Sequence, residues 1–250
     1  MAAPKMPSSS DTSKDSTDDD PKKVKLLRRQ ELERRLKSNP TDSDGFLELA
    51  AIYRSEERPL EAKRLLEQAK KIFPDNETIV WEYEEALLAR SLQLYREVHD
   101  LNTRLDTSET ARELKRSEQD WCGRRIEVCK ARLARHPKMK HLNIVIAEAL
   151  LDTDEAERAI VFVDQILDVD ELSPQGYLIK GKALLALGKD ADAMAALRAC
   201  GIRRAVSAPP KIKVLALRLL CETAERLGVK LTLERYQHLL QNVEKQLAES

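Results

Sequence analysis

Prolines divide most of this chain into helical stretches whose spacing points to a repeating unit. Pro40 and Pro74 lie 34 residues apart, and the apolar residues between them recur every three or four positions, which is typical of helices. A helical hairpin occupies about this length. Because one hairpin cannot bury its apolar face alone, the pattern predicts an all-α chain of stacked antiparallel helix pairs.

The clearest repeat covers residues 43–76. Ala50 and Ala62 are small enough to let two helices approach closely, and bulky side chains surround them. The pattern consists of Phe46, Leu49, Ala50 and Tyr53 on the first helix, Ala62, Leu66 and Ala69 on the second, and Pro74 at the end. This arrangement resembles the tetratricopeptide repeat. The resemblance implies a right-handed α-solenoid in which the first helices of successive hairpins line a concave groove.

Two later stretches keep the same phase. In residues 174–207, Tyr177 takes the aromatic position, Gly181 a small position and Gly188 the turn. Residues 140–173 form a degenerate repeat, because Asn143 stands where the family has an aromatic residue.

Between these repeats the period fails, and residues 77–136 predict a long helical hairpin. One helix is predicted from Glu77 to about Leu105 and a second one up to Arg135, each about 40 Å long. The candidates for the cap between them are Asp106, Thr107 and Ser108, with Glu109 placed three residues after Asp106. This hairpin departs from the family pattern and leaves the curvature of the stack open.

Capping helices are predicted at both ends of a repeat domain that covers residues 23–250. The first covers 23–39 and the last two lie within 210–248, with Gly228 ending one helix and Thr232 capping the next. Residues 1–22 are rich in serine, threonine and aspartate, so they predict a disordered acidic tail.

Composition narrows the classes of function. Lys plus Arg and Asp plus Glu each total 43, so no overall field attracts nucleic acid or an anionic membrane. No stretch reads as a secretory signal or a membrane span, and the four cysteines stand among apolar residues. We therefore expect a cytoplasmic protein without membrane insertion, and the basic run Lys22-Lys23-Val24-Lys25 offers nuclear import as an alternative.

The residues that catalysis needs are not found in any recognisable spacing. A glycine-rich phosphate loop and a nucleophile elbow are both missing from the sequence. His136 and His141 flank Pro137, seven or more residues after Cys129, and this spacing fits no zinc pattern. The sequence predicts a non-enzymatic protein with no catalytic residues, metal or cofactor.

By the family resemblance, one set of positions on the first helices faces the groove. In this chain the predicted partner-binding residues are Leu47, Arg54, Trp81, Glu85, His141, Ile144, Glu148, Leu178 and Lys182. The aliphatic members are either anchors for a partner or packing between hairpins. Trp81 is likewise an anchor or the packing centre of the long hairpin. The lysine and asparagine residues with which chaperone-binding members of the family hold a carboxylate are replaced here, so that role is disfavoured.

These features lead to one main hypothesis and two alternatives. The main one is a scaffold that binds a peptide or helix of a partner protein in the groove. A structural protein that self-associates through the long hairpin, like a coiled coil, is the first alternative, and it implies a homo-oligomer. Helical-repeat RNA binding is the second, but Asp44, Glu85 and Glu148 argue against a basic groove.

Overall fold

The computed structural model describes residues 21–202 and 207–248. The predicted acidic tail lies outside the described residues except for its last two, which belong to the first helix. The chain divides into two compact bodies between Ala86 and Leu87. They are called the N-terminal and C-terminal bodies below.

The described residues form eleven helices and no strands, which confirms the all-α prediction. The helices are α1 Pro21–Ser38, α2 Ser43–Ser55, α3 Pro59–Ile72, α4 Glu77–Leu105, α5 Ser108–Arg135, α6 Leu142–Asp152, α7 Ala156–Asp164, α8 Ser173–Ala186, α9 Asp190–Gly201, α10 Pro210–Arg226 and α11 Lys230–Ala248. From α1 to α3, and again from α5 to α11, each helix packs against the next one in the chain. Sequential packing of this kind is what a helical repeat requires.

In the N-terminal body, α2 and α3 form the hairpin that the sequence pattern predicts. Asp42 caps α2, because its carboxylate accepts a hydrogen bond from the Gly45 backbone N–H at 3.1 Å. Ala50, Ala62 and Leu66 are fully buried where the two helices meet. Small residues at the crossing therefore let the helices approach, and the leucine fills the space beside them.

The long helices α4 and α5 have the predicted bounds, but their connection differs in detail. The N-cap of α5 is Thr107, whose hydroxyl accepts a hydrogen bond from the Thr110 backbone N–H at 3.2 Å. Thr110 Oγ1 in turn accepts the Thr107 N–H at 3.1 Å, which completes a capping box. The pairing of Asp106 with Glu109 is wrong, because Asp106 has φ +45° and lies in the turn before the cap.

The hairpins α6–α7 and α8–α9 provide most of the core of the C-terminal body. Leu197 on α9 is fully buried and packs over Gly181 of α8, where any larger residue would collide with it. Gly188 has φ +70° in the turn between α8 and α9, as predicted. Asn143 is buried, and its side-chain amide donates to the Lys140 carbonyl at 3.1 Å.

The last helix pair begins earlier than the sequence predicts. Gly228 has φ +69° after α10, which confirms that it ends this helix. However, α11 begins at Lys230, so Thr232 lies inside its first turn and is not its cap. Tyr236 and Val243 are buried against α10 while residues on the other side of α11 stay exposed, so α11 has one apolar and one polar face.

Candidate functional site

The predicted groove residues of the N-terminal body lie on α2 and on the first turns of α4. Leu47 is half-buried and packs against the core beside Phe46 and Ala50, so it contributes to the contact between helices. Arg54 is exposed, and its Nη1 lies 2.8 Å from Glu82 Oε2 on α4. Trp81 and Glu85 are both half-buried. The surface that this body offers at these positions is therefore mainly polar.

In the C-terminal body, the two aliphatic groove residues are buried. Ile144 and Leu178 are only 6% and 5% exposed, and each belongs to a core cluster. His141 and Lys182 are exposed at the start of α6 and in the middle of α8. The part of this predicted set that reaches the surface is therefore polar and charged.

Two predicted groove positions on successive first helices are joined directly. Gln175 Nε2 on α8 donates to Glu148 Oε1 on α6 at 3.0 Å. By the resemblance to the tetratricopeptide repeat, Glu148 is the ninth residue of the repeat 140–173 and Gln175 the second residue of the repeat 174–207, and both positions are predicted to face the groove. Both residues are half-buried. This contact brings α6 and α8 onto one shared polar surface.

Residues that the sequence analysis did not single out extend this surface onto α5. Arg125 Nη1 donates to Asp152 Oδ2 at 3.2 Å, and its Nη2 lies 3.8 Å from Glu148 Oε2. The same guanidinium lies 5.7 Å from the ring centroid of Trp121, one helical turn earlier. A tryptophan followed four residues later by an arginine is a pattern visible in the sequence, and it is the signal that could have located this part of the site.

We call this connected set, Trp121, Arg125, Glu148, Asp152 and Gln175, the polar ladder. Arg125 has 18% of its side chain exposed, whereas the carboxylates of Glu148 and Asp152 are 41% and 50% exposed. The acids therefore have free acceptor capacity toward solvent while the arginine is held between them. Such a surface can accept hydrogen bonds from an incoming donor without first breaking a buried ion pair.

Burial also affects two titratable groups beside the polar ladder. Desolvation raises the pKa of the Cys122 thiol, and the nearby Asp152 carboxylate raises it further. The pKa of Tyr95 is raised by burial first and by the charge of Glu118 second. Both groups are therefore neutral near pH 7 and add no charge to the polar ladder.

The described part of the chain gives no sign of a metal site or a membrane helix. Within residues 21–202 and 207–248, no three His, Cys, Asp or Glu side chains are grouped so that they could hold a metal ion. All four cysteines are free thiols. Among the same residues, every helix is too short or too polar to cross a bilayer.

Comparison with known proteins does not assign the chain to a family. No protein-family model matches it, and no curated protein is significantly similar to it.

Proposed function

We propose that the chain is a non-enzymatic scaffold of tetratricopeptide type, and that it binds a segment of a partner protein across the first helices of its hairpins. The observation that carries this proposal is the hydrogen bond between Gln175 and Glu148. It joins two positions that the repeat pattern assigns to the groove, although they lie 27 residues apart in the chain. Residues of α6 and α8 that the repeat spacing relates to each other therefore lie on one surface.

The chemistry of this surface favours a partner segment with basic or amide donors. Glu148 and Asp152 present partly exposed carboxylates, and Lys182 adds one exposed cation on α8. Leu151 and Leu185 are the twelfth residues of the two repeats, another position that the family resemblance predicts to face the groove. Both are half-buried and offer limited apolar area. Binding is therefore directed mainly by charge and hydrogen bonds, with a small apolar contribution.

A charge-exchange variant tests the proposal. Glu148→Lys combined with Lys182→Glu keeps the net charge but exchanges the negative charge on α6 and the positive charge on α8. The amount of partner protein that is captured should therefore fall about tenfold or more. The measurement is quantitative affinity capture from native lysate, with circular dichroism to confirm an unchanged helix content.

The matched control exchanges two exposed charges on other helices. Glu157→Lys combined with Lys245→Glu alters α7 and α11, and both residues are exposed. This control should capture the same proteins as the unmodified chain. Equal loss in both variants, or no loss in either, would contradict a binding surface on α6 and α8.

Self-association remains a second candidate because of one stripe on α4. Leu94, Leu101 and Leu105 are 42%, 46% and 56% exposed, and their spacing places them on one side of the helix. Exposed leucines aligned in this way are typical of helices that pair with another helix.

If this stripe pairs two copies, Leu101→Glu should convert a dimer into a monomer. A buried glutamate opposite a partner leucine costs several kcal/mol, about a thousandfold in dissociation constant. Sedimentation velocity at several concentrations measures the result, with Gln119→Glu on the exposed side of α5 as control. An unmodified chain that sediments as a monomer at all concentrations would exclude this candidate.

A further inference from the structure

A cleft of about 330 Å³ lies where the end of α9 meets the first turns of α11 in the C-terminal body. Its lining residues are Arg198, Ile202, Leu231, Thr232, Arg235 and Tyr236. Arg198 on α9 and Ile202, the residue directly after α9, are four residues apart, and those on α11 occupy two successive turns, so both sets line the same space. None of them belongs to the partner-binding surface proposed above.

Arg198 is fixed in place at the wall of this cleft. Its Nε donates to the Tyr236 hydroxyl at 2.5 Å, and its guanidinium lies 5.9 Å from the centroid of the same ring. Tyr236 itself is only 3% exposed and belongs to the core. Since a guanidinium has five N–H donors in a rigid fork, the remaining ones are pre-oriented for an acceptor.

The two arginines of the cleft differ from neighbouring arginines, which form ion pairs with carboxylates. Arg218 on α10 lies 2.7 Å from a carboxylate oxygen of Glu244, and Arg226 is paired with Asp190. No carboxylate among the described residues pairs with Arg198 or Arg235 in this way. Within residues 21–202 and 207–248, the cleft therefore carries two positive charges that no carboxylate pairs with.

The other lining groups define what anion fits. Thr232 and Tyr236 contribute hydroxyls, and the first turn of α11 adds the positive end of a helix dipole. Leu231 is 83% exposed, and with Ile202 it forms an apolar wall beside the charges. Two guanidinium groups match the double charge and several acceptors of a phosphomonoester better than the single charge of a carboxylate. The apolar wall suits an organic stem that carries the phosphate.

We propose that this cleft binds a phosphomonoester attached to an organic group, either a phosphorylated side chain or a small organic phosphate. Phenyl phosphate is the simplest probe, and isothermal titration of the full chain at pH 7.5 measures its dissociation constant. Inorganic phosphate should bind several-fold more weakly because it makes no contact with Leu231. Benzoate should bind about tenfold more weakly because it carries one charge.

Substitutions in the cleft separate this site from general electrostatic attraction. Arg235→Gln should weaken phenyl phosphate about tenfold or more, because a charge-assisted hydrogen bond is lost from an exposed residue with no structural partner. Arg198→Lys keeps the charge but loses the fork, and it should also weaken binding. Arg218→Gln, on the neighbouring α10, is the matched control and should stay within about twofold of the unmodified chain.

Two sources of the ligand are distinguished by a further pair of titrations. A phosphoserine peptide that binds more tightly than phenyl phosphate indicates a phosphorylated protein segment, and the reverse order indicates a small organic phosphate. The proposal is overturned if Arg235→Gln and Arg218→Gln bind phenyl phosphate equally well, if benzoate binds as tightly as phenyl phosphate, or if no heat is observed.

Discussion

Replacing Leu197 with alanine should lower the free energy of unfolding of the C-terminal body by about 2–5 kcal/mol. Leu197 is fully buried in the cluster that joins α8, α9, α10 and α11, and it covers Gly181 on the facing helix. Removing three carbon atoms there loses the transfer free energy of the side chain and leaves a cavity, because packed helices close over a void only partly.

Urea denaturation followed by tryptophan fluorescence measures this loss. Trp121 is the tryptophan of the C-terminal body, so the experiment is best done with Trp81→Phe as the background. Leu231→Ala is the matched control, because that leucine is 83% exposed and its truncation should change the stability by less than about 0.5 kcal/mol. A loss below about 1 kcal/mol for Leu197→Ala would show that this residue is not at the centre of the helix packing.

A methyl group added at Gly181 should also destabilise the fold, by about 1–3 kcal/mol. The new Cβ would lie 2.5 Å from Leu197 Cδ2 and 2.6 Å from its Cγ, well inside van der Waals contact. Alanine is a better helix former than glycine by about 1 kcal/mol, and this gain offsets only part of the clash.

The control for Gly181→Ala is the same change at Gly123. Gly123 is exposed in the middle of α5. A Cβ added there would meet no atom of another part of the protein within 4 Å. Gly123→Ala should therefore stabilise the chain by up to about 1 kcal/mol. Combining Gly181→Ala with Leu197→Ala should remove most of the clash, so the two losses should not add. This account of the contact would be contradicted if Gly181→Ala and Gly123→Ala changed the free energy of unfolding in the same direction. Additive losses of that free energy in the double variant would contradict it as well.

Much of the fold could be predicted because the decisive signals are local in sequence. The bounds of α4 follow from an apolar stripe that continues from Glu77 to Leu105 and then stops at polar capping residues. Gly188 and Gly228 mark turns, because they take a positive φ that other residues rarely adopt. Ala50 and Ala62 mark the crossing of α2 and α3, because their small side chains let the two helices approach closely. The two alanines are only twelve residues apart in the chain, so this signal is also local.

The details that could not be predicted depend on backbone geometry that several residues share. Asp106, Thr107 and Ser108 are all good capping residues. Asp106 has a positive φ and lies in the turn, so Thr107 is the N-cap of α5. In the same way, the start of α11 is set by the turn at Gly228, so the helix already includes Lys230 and Leu231 before Thr232.

The repeat pattern predicts which helices carry the candidate site, but it does not predict which side chains on those helices are exposed. The repeat pattern predicts Glu148 and Gln175 on the groove side, and in the structure their side chains are hydrogen-bonded to each other. The repeat pattern does not predict whether an aliphatic side chain at a groove position is exposed or buried, because a small rotation of the helix about its axis changes that exposure. Ile144 and Leu178 are turned into the core, so charges and amides form the accessible surface. Arg125 was missed because it belongs to the long hairpin, where the family pattern gives no assignment.

The most direct measurement for the proposed scaffold is photocrosslinking from position 182. A photoreactive amino acid in place of Lys182, which is exposed on α8, reports any chain that lies over the surface of α6 and α8. The same residue in place of Lys245 on α11 serves as the matched position. We predict a protein adduct from position 182 that is lost when Glu148 is changed to lysine, and no such adduct from position 245. Identical adducts from both positions, or an adduct that persists with Glu148→Lys, would contradict the proposed binding surface.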